Sequence, residues 1–192
     1  MPVTINGTSG LVTATTFSGS SLSGIDTGKI LQVKQAVKTD TSSTTSTTFV
    51  TIPGTDETGS GSEFEVNITP SATSSKILVT WGIHFGVPGG VYSGGIRLRR
   101  GTTTIFVGDT SSNRTRATNW VVGWNSYGER NPWFIGGTFL DSPNTTSALT
   151  YSIQFMSGYS GSAVFINQGY LWDNAVSVGL CPSSITCQEL AA

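Results

Sequence analysis

Between Lys76 and Val87 the chain alternates with a strict period of two, and few folds can accommodate that pattern. Ile77, Val79, Trp81, Ile83 and Phe85 fall on one side, and Leu78, Thr80, Gly82, His84 and Gly86 on the other. Successive side chains of a strand point to opposite faces, so the first set defines a core face. The second set is small and mostly polar, which lets another sheet or another subunit approach closely. Leu149, Tyr151, Ile153 and Phe155 repeat the one-sided pattern within Leu149–Met156.

Other short runs rich in Val, Ile, Thr and aromatic residues read as strands: Lys29–Lys38, Thr47–Ile52, Glu63–Thr69, Gly95–Arg99 and Thr103–Gly108. Thr118–Trp124, Trp133–Leu140, Ala163–Gln168 and Ser184–Leu190 complete the set. Between them lie turn signals such as Ile52-Pro53-Gly54, Val87-Pro88-Gly89-Gly90, Arg100-Gly101 and Asp141-Ser142-Pro143-Asn144. No segment carries a helical apolar period. The expected fold is all-β: an antiparallel β-sandwich, jelly-roll-like, with one core over residues 29–192.

Residues 1–28 obey a different rule. Val3, Ile5, Leu11, Val12, Phe17, Leu22 and Ile25 are spaced by Gly, Ser and Thr, and Asp26 is the only charged side chain. Disordered tails are charged and poor in large apolar residues, and flexible linkers lack them too. Gly and β-branched Thr oppose helix. The expectation is an extended anchor or shaft whose apolar residues are buried against other copies or a host assembly.

Charged residues are only 11% of the chain, with a net charge of −1, where roughly a quarter is usual. Ser and Thr outnumber them more than two to one. A surface solvated by hydroxyls suits a rigid exterior protein, and it leaves no basic footprint for nucleic acid and no polybasic membrane patch. No apolar run approaches the ~20 residues of a membrane helix, and Met1-Pro2-Val3-Thr4 does not open like a secretory signal. Synthesis in a cytoplasm is therefore expected, and the triplets at Asn6, Asn67, Asn113 and Asn144 carry no glycosylation meaning there. Cys181 and Cys187 match no zinc or redox spacing, so two free thiols are expected.

Several motifs together resemble the small fibre and appendage proteins of bacteriophages, especially those of marine cyanobacteria and similar hosts. They are Val12-Thr13-Ala14-Thr15-Thr16-Phe17-Ser18-Gly19, Leu22-Ser23-Gly24-Ile25 and Gly28-Lys29-Ile30-Leu31-Gln32-Val33. Ile68-Thr69-Pro70-Ser71 with Ser74-Ser75-Lys76-Ile77-Leu78-Val79 carries the most recognisable strand–turn–strand. Arg100-Gly101-Thr102 before Ile105, Asp141-Ser142-Pro143 before Tyr151, and the ending from Ile185 through Glu189 to Ala192 follow in order. The resemblance implies a homotrimeric virion protein, made in the host cytoplasm and released by lysis. Its N-terminal segment would attach to other virion proteins through the seven apolar residues named above. It implies no catalytic residues, cofactor or metal. Tail fibre with host adhesion and capsid decoration (cement or head-fibre) protein both fit. Cys187 and Gln188 depart from the apolar residues that the family usually carries in its last strand.

Other chemistries leave weaker traces. His84 is the sole histidine, and no G-x-S-x-G elbow accompanies it. Glu63 and Glu65 share a strand face about 7 Å apart, a spacing open to paired glycosidase acids and equally to an ordinary solvated face. Asp109 to Asn113 lacks the spaced ligands of a calcium loop. The strongest recognition candidate is Trp120, Trp124, Tyr127, Arg130 and Trp133, in or beside a Gly/Asn/Ser-rich connection. Flat rings beside Arg and Asn donors suit a host-surface glycan; the same rings suit a core or a subunit interface. A free carbohydrate-binding module and a small polysaccharide hydrolase are the further alternatives.

Overall fold

The computed structural model describes residues 29–90, 92–123, 131–170 and 178–191. None of them is helical, and every strand pairing is antiparallel. The strands are β1 (Ile30–Lys38), β2 (Ser42–Thr44), β3 (Val50–Thr51), β4 (Glu65–Ile68), β5 (Lys76–Gly86) and β6 (Ser93–Arg100). They continue as β7 (Thr103–Ile105), β8 (Asn119–Val122), β9 (Trp133–Asp141), β10 (Leu149–Ser157), β11 (Val164–Ile166) and β12 (Ser183–Leu190).

Two six-stranded sheets result. In the front sheet β5 pairs with β9 along one edge and with β12 and β11, end to end, along the other; β1 then flanks β12 and β2 flanks β11. In the back sheet β6 pairs with β10 on one edge and with β7 and β8 on the other, and β4 and β3 line the far edge of β10. One buried cluster joins Ile77, Val79, Trp81, Ile83 and Phe85 of β5 to Ile96, Leu98, Tyr151, Ile153 and Phe155 of the back sheet. The sequence-derived β-sandwich is thus the observed architecture.

The period-two reading of β5 holds residue by residue: its five core-face side chains are buried. Trp81 fits because the facing position on β9 is Gly137, where a Cβ would sit 2.5 Å from the indole. Other boundaries move for physical reasons. The Thr103–Gly108 strand stops at Ile105 because Phe106 takes φ 50°, outside extended geometry. Thr47–Ile52 shortens to Val50–Thr51, and the hydroxyl-rich β2 has no apolar alternation to announce it.

β10 departs from the one-sided expectation, since Ser152, Gln154 and Met156 are buried along with the core-face residues. Long side chains from neighbouring strands roof them over. Arg97 of β6 donates its Nε–H to Gln154 at 2.7 Å, and its guanidinium lies 4.5 Å from the Phe49 ring beside β3, on the opposite edge of β10.

Most polar groups enclosed by the sandwich are paired, as burial demands, with Ser42 Oγ, Arg99 Nε and Gln168 Oε1 the exceptions among the described residues. Asp141 at the end of β9 accepts two bonds from Arg100 Nη1, at 2.9 and 2.7 Å, and one at 2.6 Å from Tyr151 Oη. This triad clamps front sheet to back. Asn167, buried with φ 69°, donates to the carbonyls of Lys38 and Asp40 and accepts from Ser183 Oγ at 2.6 Å. Cys187 and Cys181 are both free thiols. Cys187 occupies an inward position of β12 and packs as a small apolar residue; burial pushes its thiol pKa up.

Glu189, two residues further along that inward face, is a buried carboxylate. Burial by itself would raise its pKa. It accepts from Ser71 N (2.6 Å), Ser71 Oγ (2.7 Å) and Gln32 Nε2 (2.6 Å), and these bonds outweigh burial and hold it at about 2.

Two outcomes follow from these pairings. Asp141→Ala leaves Arg100 and Tyr151 without their acceptor and should cost about 3 kcal/mol in urea unfolding; a loss under 1 kcal/mol would show that the clamp is dispensable. Because the folded pKa of Glu189 lies below its ordinary value, its stabilisation is complete above about pH 4.5 and is lost as the pH falls toward about 2. Glu189→Gln should flatten the stability profile across that window. An unchanged acid limb in the variant would contradict the assignment.

Candidate functional site

Of the five aromatic-region candidates, Trp124, Tyr127 and Arg130 lie outside the described residues, as do Val3, Ile5, Leu11, Val12, Phe17, Leu22 and Ile25 of the attachment segment. The other two belong to different sheets. Trp120 on β8 projects from the outer face of the back sheet, lying over Gly95 of β6 with its ring edge near Gly158, and remains 40% exposed. Trp133 opens β9 opposite Phe85 and so shares the core-facing side of the front sheet, 43% exposed at the sheet edge.

Tyr92, Tyr159 and Tyr170 form an aromatic grouping that sequence reading missed. Tyr92 and Tyr170 wall a cleft of about 360 Å³ floored by Ser160, Gly161 and Ser162, with Pro88 at its rim. Tyr159 meets Tyr92 edge to face at 5.4 Å, and Tyr170 meets Phe165 the same way at 5.9 Å. These residues come from three separate connections, and only the register of β5, β6, β10 and β11 brings them together. No local motif could have signalled it. Partly exposed rings over serine hydroxyls are the chemistry by which a sugar face is recognised.

The larger feature is the outer face of the front sheet. Register places its outward side chains in rows across β1, β12, β5 and β9: Val33–Gln188–Leu78–Leu140, Gln35–Thr186–Thr80–Thr138, Val37–Ser184–Gly82–Gly136, and then His84–Phe134. No Lys, Arg, Asp or Glu occurs in these rows; Lys76 stands outward at the next row of β5, opposite Leu190, with its Nζ donating to Ser142 Oγ at 2.9 Å. Phe134 is 67% exposed, and Val33, Val37 and Leu140 are also exposed apolar side chains. Phe134 lies along the sheet rather than away from it: a Cβ on Gly82 would come within 2.9 Å of its ring, and one on Gly136 within 3.2 Å. The central threonines, Thr80 and Thr138, have their hydroxyls 3.4 Å apart.

His84 lies in this face and has a structural role. Its Nδ1–H donates to the Pro182 carbonyl at 2.7 Å, its backbone N–H donates to Ser183 Oγ at 3.0 Å, and its ring packs 5.2 Å from Phe134. Glu63 and Glu65 flank the buried Phe64; burial first, and then the Glu63 charge, raise the Glu65 pKa. Neither carboxylate lines the tyrosine cleft. Among the described residues no group of three His, Cys, Asp or Glu side chains is placed to hold a metal ion. No protein-family model matches the chain, and no curated protein sequence is significantly similar to it.

Proposed function

We propose that this chain is a non-enzymatic structural protein of a bacteriophage virion. In this reading it forms a homotrimeric tail fibre or appendage: the sandwich is the exposed head, and residues 1–28 attach it to other virion proteins. The observation that carries the reading is the outer face of the front sheet, which carries Lys76 at one end and no other charged side chain in its register rows, and is studded with exposed Phe134, Val33, Val37 and Leu140. A monomer's surface is normally broken up by charged side chains, whereas obligate contacts between copies are depleted of them. Hydroxyls and glycines at the centre of the face allow close approach without leaving an ion desolvated.

Strand spacing sets the scale of that contact. Four strand positions and three to four outward rows cover about 400–500 Å², less than the ~800 Å² per partner of a standard stable interface. The face therefore needs a second contribution, and the seven apolar side chains of residues 1–28 can supply it by association between copies. The motifs shared with phage fibre and appendage proteins support the same reading, for a tail adhesin and for a capsid decoration protein alike. The tyrosine cleft favours a sugar-contacting head, so a carbohydrate-binding module is the second reading.

Removal of residues 1–28 tests the division of labour. All the buried apolar residues of the head lie at Ala36 or beyond, so the truncated protein should keep its β-type circular dichroism while losing incorporation into particles. Normal incorporation of the truncated chain, or its failure to fold, would contradict the proposal. Cryo-microscopy of the intact particle then distinguishes tail from capsid by position.

A further inference from the structure

Five of the six arginines in the sequence, Arg97, Arg99, Arg100, Arg114 and Arg116, sit on β6 or in the β7–β8 connection of the back sheet, and of these Arg100 is paired with Asp141. In a chain with so few charges this is a marked concentration. A pocket of about 450 Å³ opens there between Thr47, Thr48, Phe49, Arg97, Thr115 and Arg116. The ion pairs formed among the described residues are Lys38–Asp40 and Arg100–Asp141, so Arg97 and Arg116 reach the pocket without a carboxylate partner.

Both guanidiniums are held in place through one nitrogen. Arg97 is fixed by its Nε bond to Gln154 and by the Phe49 ring, and Arg116 donates Nε–H to the Gly108 carbonyl at 2.6 Å. Their terminal nitrogens remain for a ligand. Burial first, and then the adjacent Arg99 charge, lower the Arg97 pKa from its ordinary value, the mark of a cation lacking a counter-charge. Arg99 has its Nε buried with no partner. Asp56, Glu57, Glu63 and Glu65 lie between β3 and β4 or on β4, across β10 from β6, and Asp109, next to Gly108 in the β7–β8 connection, forms no ion pair with Arg97 or Arg116.

We propose that this pocket binds the carboxylate of an acidic saccharide. Guanidinium forks match a carboxylate in shape and charge. Thr47, Thr48 and Thr115 offer hydroxyls that both donate and accept, as sugar hydroxyls require, and the volume falls in the range of small-ligand sites. A nucleic acid would need cations along an extended track, and the acidic residues beyond β10 interrupt any such track. The inference extends the adhesion part of the proposed function. It is read on purified protein, so it stands or fails separately from particle location.

Ligand-observed NMR on the full chain, with D-glucuronate, D-galacturonate, N-acetylneuraminate, D-glucose and sulfate as probes, decides the matter. At least one acidic sugar should bind tenfold or more tighter than glucose and than sulfate, and binding should weaken with added salt. Arg97→Ala should reduce that affinity at least tenfold. Arg116→Ala should do the same, and because Arg116 is exposed its melting temperature should stay unchanged. Three results would overturn the proposal: acidic sugars binding no better than glucose or sulfate, undiminished binding by Arg116→Ala, or dissociation of the native oligomer by Arg116→Ala. The last would make the pocket a contact between copies.

Discussion

The two unlike faces of β5 are the constraint on which the rest of the molecule depends. One face is continuous apolar surface, and burying each of its large side chains is worth about 1.5–3 kcal/mol. That face brings the back sheet over it and sets the register of β9, β12 and β11, whose inward residues must meet the same core. A one-residue slip would turn Ile77, Val79, Trp81, Ile83 and Phe85 toward water together. The opposite face is left small and hydroxyl-lined, and it passes those properties to its neighbours through the same register.

Charge is used sparingly, mostly where it has a defined partner. Asp141 joins the two sheets through Arg100 and Tyr151, and Glu189 ties β12 to Gln32 of β1 and to the turn before β5. Buried groups of this kind cost much to leave unpaired and add little beyond specificity when paired. They fix which strand ends meet. Arg97 of β6 and Arg116 of the β7–β8 connection are the exception, and that exception motivates the ligand assigned to their pocket.

Where residues alternate, the fold was legible from sequence. β5, β9 and β12 run within one residue of their expected bounds, because each has an apolar face to bury. Legibility failed where burial comes from neighbours. The outward side of β10 reads as polar, yet Arg97 reaching across to Phe49 encloses it. β2, built of Ser and Thr, gains its place only by pairing with β11. For the candidate surfaces, composition pointed to aromatic recognition, and Trp120 and Trp133 proved to belong to different sheets. The tyrosine cleft and the arginine pocket are assembled from distant segments. Sequence order holds no trace of either until the sheet register is known. The weakly charged second face of Lys76–Val87, by contrast, was visible as a pattern, and the structure extends it across three further strands.

The central claim is that this weakly charged face is a contact between copies, and its most direct test is the mass of the particle in solution. Light scattering at micromolar concentration should give three times the 20.1 kDa of the chain. The variant Thr80→Arg/Thr138→Arg, which places two cations at the middle of the face, should give a smaller mass while keeping its β-type circular dichroism. A wild-type mass near 20.1 kDa, or a trimer indifferent to both arginines, would contradict the account.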